Sequence, residues 1–119
     1  GIWSDGTTMW VADNDWPDAK LYAYDVSTKA RAPSKDFVTL GSAGNRSPEG
    51  IWSNGTTMWV ADGSDAKIYA YDLATKARDP RRDFNTLEAA GNEGPRGIWS
   101  DGKTMWVADD DRQDAKLYA

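Results

Sequence analysis

The chain has no cysteine and no histidine. Without cysteine there is no disulfide, no thiolate nucleophile and no cysteine-ligated zinc. Without histidine the commonest general base is gone, and with it the Ser-His-Asp triad and imidazole-held metals. Basic residues are the minority: 14 Lys and Arg stand against 19 Asp and Glu, a net charge of −5. That balance argues against a nucleic-acid partner, whose phosphate backbone needs Lys/Arg clusters. No apolar run reaches the length of a membrane-spanning helix, and no signal-peptide pattern is visible, so no membrane partner is expected. Asp far outnumbers Glu, and Asp is a turn residue, so much of the acidity reads as turn chemistry.

What the chain does have is one phrase written three times. It reads GIWSDGTTMWVAD from Gly1, GIWSNGTTMWVAD from Gly50 and GIWSDGKTMWVAD from Gly97, at spacings of 49 and 47 residues. A period of this length marks a repeat array, whose units bury their apolar faces by stacking on neighbours. The units divide as 1–49, 50–96 and a partial 97–119. The chain begins at Gly1 on a repeat boundary without an initiator Met, and the third copy stops partway at Ala119. The reading is a segment of a longer or processed polypeptide, with a secreted or surface protein the leading expectation.

Within a unit, short alternating stretches are separated by turn residues, which predicts strands. In the second copy strand a is Gly50–Ser53, strand b Met58–Ala61 and strand c Lys67–Tyr71. Strand d is placed within Arg78 to Phe84, with Pro80 suiting an edge. Asp5-Gly6, Asn54-Gly55 and Asp101-Gly102 predict two-residue type I′ hairpins. That register pairs Ser4 with Thr7, Ile2 with Met9 and Gly1 with Trp10. It sets Trp3 and Trp10 on one face and Ile2, Met9 and Val11 on the other.

Four antiparallel strands per unit, repeated radially, is the pattern of an all-β propeller blade. Pro48-Glu49-Gly50-Ile51, Val60-Ala61-Asp62 and Tyr71-Asp72 resemble NHL-type and YVTN-type propeller repeats, and the likeness covers essentially the whole chain. It departs from them in the Trp-rich strand pair, where such repeats more often carry aliphatic residues. The resemblance implies a binding platform or, less directly, an enzyme, because one fold hosts both. Trp3, Trp10, Trp52, Trp59, Trp99 and Trp106 recur at core alternation positions. They are read as packing between blades rather than as a sugar-stacking ladder.

Three blades do not close a ring, since propellers have 4–8. The ring closes either within a longer chain or by self-association. Two chains give six blades, the number usual in the NHL-like family, and hence an expected homodimer.

The copies disagree in the b–c and d–a connections, which up-down strand order places on one face. That face is the expected recognition surface. The candidate ligand residues there are Trp16, Asp15, Arg46, Arg96, Asp111 and Arg112, with a glycan or a protein as ligand. Trp16 is the only Trp outside strands a and b. Asp13, Asp15 and Asp18 supply hard oxygen ligands suited to Ca²⁺, as do Asp109, Asp110, Asp111 and Asp114. The calcium-loop motif fits poorly, however, because the required Gly and closing Glu are missing. Asp13, Asp62 and Asp109 recur in every copy, as do Asp18, Asp65 and Asp114, which points to hairpin shaping by backbone capping. Asp15, Glu49, Glu88, Glu93 and Asp110 are less repeated but form no recognisable acid–base pair. The expectation is a non-enzymatic binding or scaffold module without a cofactor. The alternative is a lectin or sugar-active enzyme using the same face.

Overall fold

A computed structural model describes residues 1–110 and 115–119. It is all-β, with three antiparallel sheets of three strands each. The first holds β1 (Ile2–Ser4), β2 (Thr8–Asp13) and β3 (Lys20–Asp25). The second holds β4 (Pro48–Ser53), β5 (Thr57–Asp62) and β6 (Lys67–Asp72), and the third β7 (Pro95–Ser100), β8 (Met105–Asp109) and β9 (Leu117–Tyr118). Strands a, b and c of the repeat therefore form as expected, with a beginning two residues earlier, at Pro48 and Pro95. A register irregularity between Pro48 and Ile51, and again between Pro95 and Ile98, absorbs the extra residues.

The first hairpin differs from the type I′ expectation. Trp3 lies opposite Trp10, Ile2 opposite Val11 and Ser4 opposite Met9, so four residues make the turn. A type I′ turn needs positive φ at two residues, and here only Gly6 has it, at 92°. The Asp5 side chain supplies the missing acceptor. Its Oδ1 takes the N–H of Thr7 at 2.8 Å and of Thr8 at 2.7 Å. Asn54 and Asp101 do the same in the later copies. The shift is two residues, so the faces stay as expected: Trp3 and Trp10 share one face, their rings stacked 5.5 Å apart.

No fourth strand forms among the described residues. Pro33 and Pro80 each open a short 3-10 turn, Pro33–Lys35 and Pro80–Arg82, because proline has no N–H for a ladder and a fixed φ. The outer edges of the first two sheets are closed by side chains instead. Asp36 Oδ1 accepts the Ala23 N–H at 2.7 Å, and Asp83 Oδ1 accepts that of Ala70 at 2.9 Å. Arg31 and Arg78 reach back to the Ala23 and Ala70 carbonyls and grip the carboxylates through both guanidinium nitrogens. Isolated bridges Leu21↔Phe37 and Tyr24↔Arg31, with Ile68↔Phe84 and Tyr71↔Arg78 in the second copy, flank this clip.

The sheets stack in chain order. Trp10, Leu21 and Ala23 of the first sheet are buried in one cluster with Ile51, Met58 and Val60 of the second. Ala61 and Ile68 on the second sheet's other face are buried with Val107 of the third, with Trp59, Ile98 and Met105 packed against them. Each interface thus sets a Trp-bearing face against an Ile/Met/Val face. The indole N–H groups of Trp10 and Trp59 donate to the carbonyls of Lys35 and Arg82, both at 3.0 Å. These rings are core elements with their one polar atom satisfied. First strands approach closely: a Cβ on Gly50 would stand 2.5 Å from the Arg96 carbonyl oxygen. Among the described residues no further sheet covers the outer faces of the first and third sheets.

Candidate functional site

A cleft that brings copy-specific residues of three connections together lies between the first and second repeats. Its volume is about 720 Å³, and Asn14, Trp16, Arg46, Ser64, Asp65 and Tyr69 are among the residues that line it. Each wall has a local cause. The loop after β2 is pressed against the turn at 40–44, where a Cβ on Gly41 would meet the Pro17 carbonyl oxygen at 2.4 Å. Trp16 is thereby presented at the rim, 57% exposed. Arg46 is fixed by its backbone, whose N–H donates to Asp62 Oδ2 at 2.6 Å. Its guanidinium lies over the Trp16 ring, 4.9 Å from the centroid, a cation–π contact.

Asp62 is fully buried and holds two connections together. Oδ1 accepts both the Ser64 N–H at 2.7 Å and the Ser64 hydroxyl at 2.6 Å, while Oδ2 takes the Arg46 N–H. Asp109 likewise accepts the Gly94 N–H at 3.2 Å, and Asp13 that of Asp15 at 3.1 Å. The recurring aspartates do the backbone capping expected of them.

Asp65 is placed differently. The Tyr69 hydroxyl lies 2.5 Å from its Oδ2 and 3.1 Å from the Gly44 carbonyl oxygen. A phenol has one proton, so these two acceptors share a single donor. Asp65 Oδ1 is buried with no hydrogen-bond partner. Burial raises the Asp65 carboxyl above its ordinary value, the Tyr69 hydrogen bond only partly opposing this. The same burial, with the neighbouring Asp65, pushes the Tyr69 phenol up.

The sequence candidates fall into three groups. Trp16 and Arg46 meet in the cleft. Arg96 sits elsewhere, in ion pairs at 2.6 Å with both Glu49 and Asp110. Asp15 is exposed on the loop after β2 and is not part of the cleft wall. Asp111 and Arg112, with Asp114, lie outside the described residues. Of the calcium candidates, Asp13 caps Asp15 while Asp18 is exposed. Among the described residues no three carboxylates gather as a metal would require. Sequence reasoning missed Asn14, Ser64, Asp65 and Tyr69. Asp65 and Tyr69 recur in every copy and so looked structural. Only their juxtaposition with the unrepeated Trp16 makes them part of a site.

No protein-family model matches the chain, and no curated protein matches it.

Proposed function

We propose that this chain is a non-enzymatic binding module of β-propeller type, its recognition site being the cleft between the first two repeats. The sheets would be blades, radially stacked, with the Asp–Arg clip standing where a fourth strand is usual. The observation that carries the reading is the pairing of Trp16 with Arg46 beside Asp65. An exposed aromatic, a fixed cation and a partly buried carboxylate, one of whose oxygens accepts from Tyr69, converge there from two repeats. Convergent polar groups beside an aromatic wall are the ordinary composition of a binding site. A non-catalytic role is supported by the use made of the other carboxylates. Asp5, Asp25, Asp62, Asp72 and Asp101 hold turns, and Asp36 and Asp83 hold sheet edges.

Carbohydrate is the second reading, favoured by a specific pairing of chemistries. A sugar ring can stack on the free face of Trp16 while its hydroxyls donate to Asp65 and exchange hydrogen bonds with Asn14. A glycan array with the wild-type chain and the Trp16→Ala and Asp65→Asn variants tests this. Binding lost in both variants supports a lectin. An array without signal, together with unaltered variants, returns the cleft to a purely scaffolding role.

A further inference from the structure

The chain holds five asparagines, Asn14, Asn45, Asn54, Asn85 and Asn92, and of these only Asn54 precedes a glycine. Nothing lies within 4 Å of where a Cβ on Gly55 would stand, so the Gly55 nitrogen is unhindered. That nitrogen and the Asn54 side-chain carbonyl carbon can close a succinimide ring. The turn between β4 and β5 gathers the groups such a closure uses. Asn54 Oδ1 accepts the Thr56 N–H at 3.0 Å, the Thr56 hydroxyl at 2.9 Å and the Thr57 N–H at 2.9 Å. Attack on the carbonyl puts negative charge on this oxygen, and its donors are already in place. All three bonds go to Oδ1 and none to the leaving nitrogen, Nδ2. The Gly55 N–H donates to Ser53 Oγ at 3.0 Å, an acceptor for the proton that the nitrogen must lose. Asn54, Gly55 and Thr56 are exposed, so water reaches the turn.

We propose that Asn54 is a site of spontaneous covalent modification, deamidating through a succinimide formed with Gly55. The Gly55 nitrogen bonds to Asn54 Cγ and loses its proton, the Cγ–Nδ2 bond breaks, and ammonia leaves. Water then opens the ring. Attack at Cγ restores the main chain and leaves aspartate; attack at the main-chain carbonyl leaves isoaspartate, with the chain running through Cγ. Either product carries a negative charge that the amide lacks. The other copies show how the turn receives aspartate. Asp5 and Asp101 hold the position of Asn54, and their Oδ1 atoms take the same pair of amides at 2.7 to 2.8 Å. The aspartate product therefore keeps the turn. Isoaspartate lengthens the main chain by a methylene and takes the acceptor away from its donors. Asp101 is itself a poor electrophile, because the Thr104 and Lys103 amides hold its carboxyl below the usual range and ionised.

The test is incubation of the folded wild-type chain at mildly alkaline pH, followed by peptide mapping and mass spectrometry. Asn54 is expected to gain the mass difference between asparagine and aspartate before Asn14 and Asn85 do. Those two are also exposed, but they precede Asp15 and Thr86. Thr56→Val removes the hydroxyl donor and slows the conversion by about 10-fold. The third copy, with Lys103 at that position, keeps the same amide bonds without a hydroxyl, so the turn survives the change. Asn54→Asp is expected to melt at or above the wild-type temperature, and aged protein enriched in isoaspartate below it. Conversion of Asn14 or Asn85 ahead of Asn54 overturns the proposal. So does an Asn54 that survives in the folded chain while the urea-unfolded chain loses it, which means that the turn protects the residue. An unchanged rate in Thr56→Val overturns the role given to the donors on Oδ1, and an Asn54→Asp variant that melts lower overturns the fit of the product.

Discussion

Asp83→Ala is expected to be one of the more damaging changes outside the apolar core, because it opens a sheet edge. The carboxylate is 8% and its partner Arg78 20% exposed. It accepts the Ala70 N–H at 2.9 Å and two guanidinium hydrogen bonds at 2.7 and 2.6 Å. Removing it strands a fully buried backbone amide, worth about 1–3 kcal/mol. Arg78 also loses its counter-ion. It keeps the Ala70 carbonyl at 2.9 Å, its place over the Tyr69 and Tyr71 rings and some access to water. That part is therefore nearer about 1 kcal/mol than the several expected of a fully buried orphan charge. The total is about 2–4 kcal/mol, or roughly 8–16 °C in Tm for a chain of this size. Urea and thermal unfolding measure it directly. Asp83→Asn keeps an oxygen for the Ala70 amide and loses roughly half as much. An alanine variant within about 0.5 kcal/mol of wild type, the scatter of neutral surface changes, refutes the clip as a substitute for the fourth strand. Equal losses in the Asn and Ala variants refute the role given to the amide.

Gly50→Ala forces a Cβ to within 2.5 Å of the Arg96 carbonyl oxygen and 2.7 Å of the Ile98 nitrogen, and lowers stability by about 2–4 kcal/mol in denaturant melts. Gly6→Ala, in open space at φ 92°, costs only about 1 kcal/mol. The Asp36 carboxyl is held below its usual range by the Arg31 hydrogen bonds. Its stabilisation is therefore present above the unfolded carboxylate value, about 3.9, and is lost as pH falls through the lower folded value. The Tm gap between wild type and Asp36→Asn, large at pH 7, closes across that acid window. Asp65 has the opposite sign. Its folded value is raised by burial, so the folded state loses stability as pH rises through the interval above about 3.9. Asp65→Asn melts higher than wild type at pH 7 and level with it in acid; a lower melt at pH 7 contradicts the assignment.

Strand positions were legible because alternation and Asp-Gly or Asn-Gly punctuation both act locally. What was not legible is where a side chain replaces a backbone partner. Asp5 accepts two amides itself, so the hairpin needs four residues rather than two positive-φ residues. Asp36 and Asp83 take ladder amides, so the edge closes without a strand. Neither substitution leaves a trace in apolar periodicity. Pro33 and Pro80 did carry a signal, since proline opens a turn as readily as it marks an edge. Comparison of the copies exposed Trp16 and Arg46 because they differ between repeats. It hid Asp65 and Tyr69 because they do not: Tyr118 donates to the Gly91 carbonyl at 2.8 Å much as Tyr69 approaches that of Gly44.

Near-identical repeats raise a problem of order, because any Trp face fits any Ile/Met/Val face. The contacts that distinguish one interface from the next must then come from positions where the copies differ. Arg96 and Glu49 occupy the same position in successive repeats, yet one is basic and the other acidic. They pair at 2.6 Å across the second interface, with Asp110 adding a further contact to Arg96. The first interface carries a different polar contact. It is linked instead by Lys76, whose ammonium donates to the Ser34 carbonyl at 2.5 Å. Exposed ion pairs contribute little stability, but their value here is discrimination, which depends on a difference between alternative pairings rather than on the strength of one. Apolar faces thus supply cohesion common to both interfaces, while the unrepeated Arg96–Glu49 pair marks the second. The same division places Trp16 and Arg46 outside the stacking code, in the cleft proposed as the recognition site.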